Sequence, residues 1–110
     1  MKKHDVELTV QAQEQILQIA CYIKEELQAP EAAERFIDKM ESEISKLSVM
    51  PERTLLVEEE PWYNKGVHKF IVSNYIIYYI IIGSDEIVQV IAVIPARRDQ
   101  KKQLEMMTFD

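Results

Sequence analysis

Glycine is scarce in this 110-residue chain, which has two, Gly66 and Gly83. Neither stands in a GxGxxG or GxxxxGK frame, so a glycine-rich phosphate cradle is excluded. One cysteine, Cys21, cannot form an internal disulfide, and beside an apolar helix stripe it reads as a small inert hydrophobe. Two histidines, His4 and His68, lie far apart with no ligand spacing, so no metal and no cofactor is expected. Ser42, Ser45, Ser48, Ser73 and Ser84 sit in no nucleophile-elbow frame. No apolar run approaches the roughly 20 residues of a membrane-spanning helix. Met1–Val10 is charged and lacks the apolar core of a secretory signal, so the expected setting is cytoplasmic and reducing. Positive charge is also short: 13 Lys+Arg stand against 19 Asp+Glu, a net charge of −6. That balance argues against general nucleic-acid binding, which needs a basic footprint. The deficit lies in the first part of the chain. Residues 1–64 carry 7 Lys+Arg and 14 Asp+Glu, and residues 65–110 carry 6 and 5.

What the chain does have is a dense apolar stretch between Gly66 and Asp99. Three runs, Val67–Val72, Tyr75–Ile82 and Glu86–Ile94, are separated by Ser73-Asn74 and Gly83-Ser84-Asp85. Short β-branched and aromatic runs parted by turn residues predict consecutive antiparallel strands. The middle run shows no polar alternation, which predicts a central strand covered on both faces. Ahead of it, Val6, Leu8 and Val10 alternate weakly and predict a short strand, with Thr9 as N-cap of the helix that follows. Ile16, Ile19, Ala20, Ile23 and Leu27 form one helical stripe. Pro30 suits the first turn of a second helix, whose stripe is Ala33, Phe36, Ile37, Met40, Ile44 and Leu47, with Pro51 as its stop. Two helices joined by so short a connection predict a hairpin. The tail after Ala96 is polar and compatible with a helix. The expected fold is a single α+β domain over residues 1–110, in two layers. Its order is β-α-α-β-β-β, with an N-terminal strand and a helical hairpin packed on an antiparallel sheet. Two helices cover one face of that sheet, so the opposite face is expected to stay open as a partner site.

Candidate functional residues are few. Glu58, Glu59 and Glu60 could be catalytic carboxylates, but a charge run usually marks a solvated surface. Trp62 is expected to drop onto apolar surface as the loop crosses a sheet edge. His68 could act as an acid or base, yet it has no visible partner and reads as a half-exposed strand residue. Tyr75 and Tyr79 share one strand face and Tyr78 the other, and all three are first read as core aromatics with a hydroxyl at the rim. Arg97 and Arg98 follow the last strand at once, with Asp99, Lys101 and Lys102 behind them. They could meet phosphate or an acidic peptide, or pair with Asp99 or with the acidic first half of the chain.

These residues, in this order, resemble the RelE/ParE superfamily of bacterial toxins, the toxin halves of type II toxin–antitoxin modules. The resemblance rests on Gly66-Val67-His68-Lys69 at a strand start, Asn74-Tyr75 at a turn into a strand, Tyr78-Tyr79 within it, and Ala96-Arg97-Arg98-Asp99 after the last strand. Tyr22-Ile23, Pro30-Glu31-Ala32-Ala33, Leu47 and Pro51-Glu52-Arg53 extend it over about residues 5–104.

The resemblance implies two activities. RelE-like members cut mRNA in the ribosome, and ParE-like members poison DNA gyrase. The nucleases use an arginine near the start of the strand that here begins at Tyr75, and a late histidine or tyrosine where this chain has Ile94-Pro95. A nuclease here would draw its acid, base and cations from Lys69, Arg97, Arg98, Tyr75 and His68. A binder would work through Trp62, Lys69, Tyr75, Tyr79, Arg97 and Arg98. The departure at Tyr75 and the negative net charge favour the ParE-like arm. The expected partners are a cognate antitoxin and DNA gyrase. The ribosome is the alternative target, a non-toxic homologue that binds only its partner is a third reading, and a homodimer is left open.

Overall fold

The computed structural model describes residues 4–49, 51, 55–58, 60–83, 87–98 and 100–106. The Ser84-Asp85 turn, Glu52, Arg53, Glu59 and Asp99 lie outside the described residues. Strand β1 spans Asp5–Leu8 and leads into helix α1, Val10–Cys21. Thr9 caps that helix as its sequence predicts: the hydroxyl accepts from the Ala12 backbone N–H at 3.1 Å. The helix does not run on unchanged to Leu27. From Tyr22 to Glu26 it widens into a π turn, and Gln28 takes a left-handed φ of 50° before the chain re-enters helix. The widening turns Leu27 outward, and it is 57% exposed rather than part of the buried stripe.

Helix α2, Pro30–Ser45, starts with its proline in the first turn. Ala33, Phe36, Met40 and Ile44 are buried at helical spacing, and Ile37 packs beside them. The helix stops at Ser45, ahead of Pro51, and tightens into a 3-10 turn over Lys46–Ser48. The Ser48 carbonyl then accepts from the His4 backbone N–H at 2.7 Å, which ties this turn to the start of β1.

Four further strands follow: β2 Leu55–Leu56, β3 His68–Val72, β4 Tyr75–Ile82 and β5 Ile87–Pro95. The sheet order is β1-β5-β4-β3-β2, so the apolar middle run is the central strand. β2, β3, β4 and β5 pair antiparallel in sequence, while β1 lies parallel to β5 with Asp5 opposite Ile87 and Leu8 opposite Val90. The sheet is therefore mixed, and its antiparallel part is the meander predicted from the turns. A parallel neighbour needs a long connection, which the helical hairpin and the meander supply.

Alternation assigns the two faces of β4. Tyr75, Ile77, Tyr79 and Ile81 join the core beneath α1 and α2, and Ile76, Tyr78 and Ile80 join a second core on the other side. On β5 the alternation breaks once. Tyr78 pairs with Ala92 but Tyr79 pairs with Val90, so Ile91 is an extra residue in a bulge. Ile91 and Ala92 thus both face the second core, whereas Val90 and Val93 face the helices.

The second core overturns the expectation of an open sheet face. Val57, Trp62 and Val67 from the loop before β3, and Leu104 from a C-terminal helix α3 (Gln100–Met106), bury Tyr78, Ile91, Ala92 and Ile94. The sheet's own apolar surface recruits this cover, because leaving it wet costs about 25 cal/mol per Å². Glu58 and Glu60 are solvated at the rim of that loop, where a Glu60 carboxylate oxygen accepts from the Asn64 backbone N–H at 3.2 Å.

Candidate functional site

The sheet end at the start of β4 carries the candidate site. The Ser73-Asn74 turn closes the β3–β4 hairpin, with Ser73 at a φ of 55°, and places Val72, Tyr75 and Pro95 side by side across three strands. Tyr75 is half-buried, its ring 4.9 Å from that of Phe36 at a tilt of 59°. Beyond Pro95 the chain turns sharply. The Ala96 backbone N–H donates to the Asn74 carbonyl at 2.8 Å, and that of Arg98 to the Pro95 carbonyl at 3.1 Å. Gln100 secures this turn. Its amide NH₂ donates to the Pro95 carbonyl at 2.8 Å and the Arg98 carbonyl at 2.9 Å, while its Oε1 accepts from the Tyr78 hydroxyl at 2.8 Å. Arg97 and Arg98 are therefore held at a defined place, exposed at the end of the sheet.

The opposite wall comes from α1 and the π turn. β1 ends opposite Val90, so the rest of β5 lacks a strand on that edge. Side chains of α1 cover it instead. Gln11 Nε2 donates to the Ile91 carbonyl at 2.9 Å, and Gln15 Oε1 accepts from the Val93 backbone N–H at 2.8 Å. Past Gln15 the two walls part into a groove of about 740 Å³. Ile19, Tyr22, Ile23 and Leu27 line one side, and Tyr75, Ile94, Pro95, Arg97 and Arg98 the other.

The structure thus brings together three of the residues singled out in the sequence: Tyr75, Arg97 and Arg98. Four others lie elsewhere. Lys69 sits opposite Tyr78 on β3, on the far side of the sheet from Tyr75 and three residues short of the strand end. His68 is buried, not half-exposed, because its ring stacks on that of Tyr79 at 5.1 Å and 10°. Tyr79 is fully buried, and its hydroxyl donates to the Pro51 carbonyl, so it offers no binding surface. Trp62 is 4% exposed, since it fills the second core. Two of the three aromatic residues expected to contact a partner, Trp62 and Tyr79, are therefore core residues.

The sequence gives no sign of a role for Gln11, Gln15 or Gln100, and Tyr22 enters it only as part of the family resemblance. A glutamine on a helix surface carries no periodic signal, and only its partner 80, 78 or 5 residues away gives it a role.

Comparison with known proteins agrees with this architecture. The family model described as ParE toxin of type II toxin-antitoxin system, parDE, matches residues 6–100. No curated protein matches the sequence significantly. Among solved structures, a chain of the chromosomal ParDE toxin–antitoxin system from P. aeruginosa is similar, with a TM-score of 0.71 at 14% identity. That match covers 86% of this chain and 98% of the other. A chain of the RelBE2 toxin–antitoxin complex from Mycobacterium tuberculosis is also similar, with a TM-score of 0.60 at 18% identity, covering 87% of this chain and 95% of that one. With most of its length matched by the family model and this fold in common, the chain belongs to the ParE toxin family of type II toxin–antitoxin systems.

Proposed function

We propose that this toxin arrests growth by binding a protein target of the DNA gyrase kind, in the cytoplasm, and that a cognate antitoxin neutralises it. The observation that carries this reading is the composition of the groove. Two arginines and two tyrosines, Tyr22 and Tyr75, meet there, and no histidine, lysine, aspartate or glutamate lines it among the described residues. RNA cleavage through a 2′-hydroxyl needs a base, an acid and a cationic clamp on the phosphorane. The two arginines could clamp charge, but a guanidinium does not exchange protons near neutral pH. His68, the natural acid or base, is buried behind Tyr79. Lys69 lies on the other side of the sheet. A groove with apolar walls and fixed arginines is instead suited to gripping another protein.

The test pairs a supercoiling assay on purified gyrase with primer extension on cellular mRNA after induction. The expected result is inhibited supercoiling with intact message, and an inhibition weakened by Arg97→Ala or Arg98→Ala. New cleavage ends within codons that vanish in either variant would overturn the proposal in favour of a ribosome-dependent nuclease.

A further inference from the structure

The turn that carries Arg97 and Arg98 is held by a side chain that lines neither the groove nor either core. Gln100, the first residue of α3, is half-buried and joins three partners. Its Oε1 accepts from the Tyr78 hydroxyl at 2.8 Å. Its Nε2 donates to the carbonyls of Pro95 at 2.8 Å and Arg98 at 2.9 Å, which bracket the arginine turn. The backbone adds a longer bond across the same turn, from the Arg98 N–H to the Pro95 carbonyl at 3.1 Å. The Tyr78 end is rigid. That residue lies within β4, is 2% exposed, and packs in the second core with Trp62, Ile91 and Leu104. The partners also fix which way the amide points. Two carbonyls require its NH₂, which leaves its oxygen for the hydroxyl, and a flipped amide would set that oxygen against both carbonyls.

We propose that Gln100 is a positioning residue for target binding. It clamps the turn over residues 95–98 to the Tyr78 hydroxyl, and so sets the direction of Arg97 and Arg98 before a target arrives. Both arginines are exposed, so burial does not fix them and the backbone beneath them must. Ordering one free backbone residue at the moment of binding costs about tenfold in affinity, and a turn already clamped does not incur that cost. The clamp also gives α3 a task. Leu104 seats the short helix in the second core, and the helix brings Gln100 back under the turn that precedes it. This role rests on the reading of the two arginines as target contacts, and adds the group that aims them.

Two variants of the full chain test it. Gln100→Met keeps the length of the side chain and removes all three hydrogen bonds. Gln100→Glu keeps an acceptor for Tyr78 and removes both donations. The first adds no charge, so an effect shared by the two comes from the lost donations. Two quantities are read: hydrogen exchange at the Arg98 amide, and the toxin concentration that halves supercoiling by purified gyrase. Exchange at Arg98 is expected to speed up about tenfold in both variants, while Leu104, β4 and β5 keep their protection. The half-inhibiting concentration is expected to rise about tenfold in both. In an Arg98→Ala background Gln100→Met should cost clearly less than it does alone, because it acts through that arginine. Unchanged exchange at Arg98 in both variants would overturn the proposal, and so would full additivity with Arg98→Ala. Inhibition lost together with Leu104 protection would also overturn it, by making Gln100 a residue of the fold alone. A parent chain that leaves gyrase active would sink the proposed target, and exchange at Arg98 would still decide whether Gln100 holds the turn.

Discussion

Three tyrosines on one strand meet three different environments because a strand alternates its faces. Tyr79 is buried under the helical layer between His68 and Phe70, with ring centroids 5.1 and 5.9 Å away. Its hydroxyl satisfies the Pro51 carbonyl. Tyr79→Phe keeps the rings packed and leaves that carbonyl without its donor. The expected cost is about 1–3 kcal/mol, read as a lower urea midpoint with an unchanged slope. Tyr75, at the groove, tolerates the same change differently. Its ring packing on Phe36 survives in Tyr75→Phe, so stability is expected to stay within about 0.5 kcal/mol of wild type. Growth arrest should persist too, since the proposed binder asks of Tyr75 a ring and not a proton. Loss of arrest in Tyr75→Phe, with the fold intact, would point to chemistry at the hydroxyl.

At the scale of elements, short pieces are held by a few contacts of long reach. Helix α3 has seven residues, too few for a helix to persist by itself in water. It rests on Leu104, 3% exposed in the second core, and on the Gln100 hydrogen bonds. Leu104→Ala is expected to cost about 2–5 kcal/mol, and α3 should lose amide protection in hydrogen exchange before β4 and β5 do. The exposed edge of β5 is a second case. Gln15→Leu preserves the helix but removes the acceptor for the Val93 backbone N–H, which is expected to cost about 1–3 kcal/mol in the same denaturation assay. Helix spans and strand spans could be read from periodicity and turn residues, and so could the N-cap at Thr9. The π turn could not. Nothing in Tyr22–Glu26 differs in pattern from ordinary helix, and the widening turns Leu27 out of the predicted stripe.

On the scale of the whole molecule, β4 and β5 form one wall shared by two cores. Ile44 belongs to the core under the helices and Ile94 to the one under Trp62 and Leu104. Ile44→Val and Ile94→Val should each cost about 0.5–1.5 kcal/mol and add within about 0.5 kcal/mol in the double variant, because they share no cluster. A strong interaction term would mean that strain passes through the sheet, which the double-mutant cycle measures directly. No helix among the described residues is long and apolar enough to cross a membrane. Arg35 and Lys39 come from the acidic first part of the chain, yet folding sets them on a hollow that shares Ile23 and Tyr75 with the groove of Arg97 and Arg98.

By itself, the sequence determined the order of β1, the two helices and the meander β3-β4-β5, the division of Tyr75, Tyr78 and Tyr79 between two faces, and the family, but not the two-residue strand β2. Each of these rests on local rules: helical and strand periods, turn residues, and motifs a few residues long. Only the tertiary structure decided the parallel seat of β1 against β5, the Ile91 bulge, the cover of Trp62 and Leu104 over the second sheet face, and the groove at Tyr75. These depend on which segment satisfies an open edge or an apolar face when several compete. An apolar face specifies that it must be covered, not by what. The answer came from residues distant in sequence, and it turned two expected contact residues, Trp62 and Tyr79, into core.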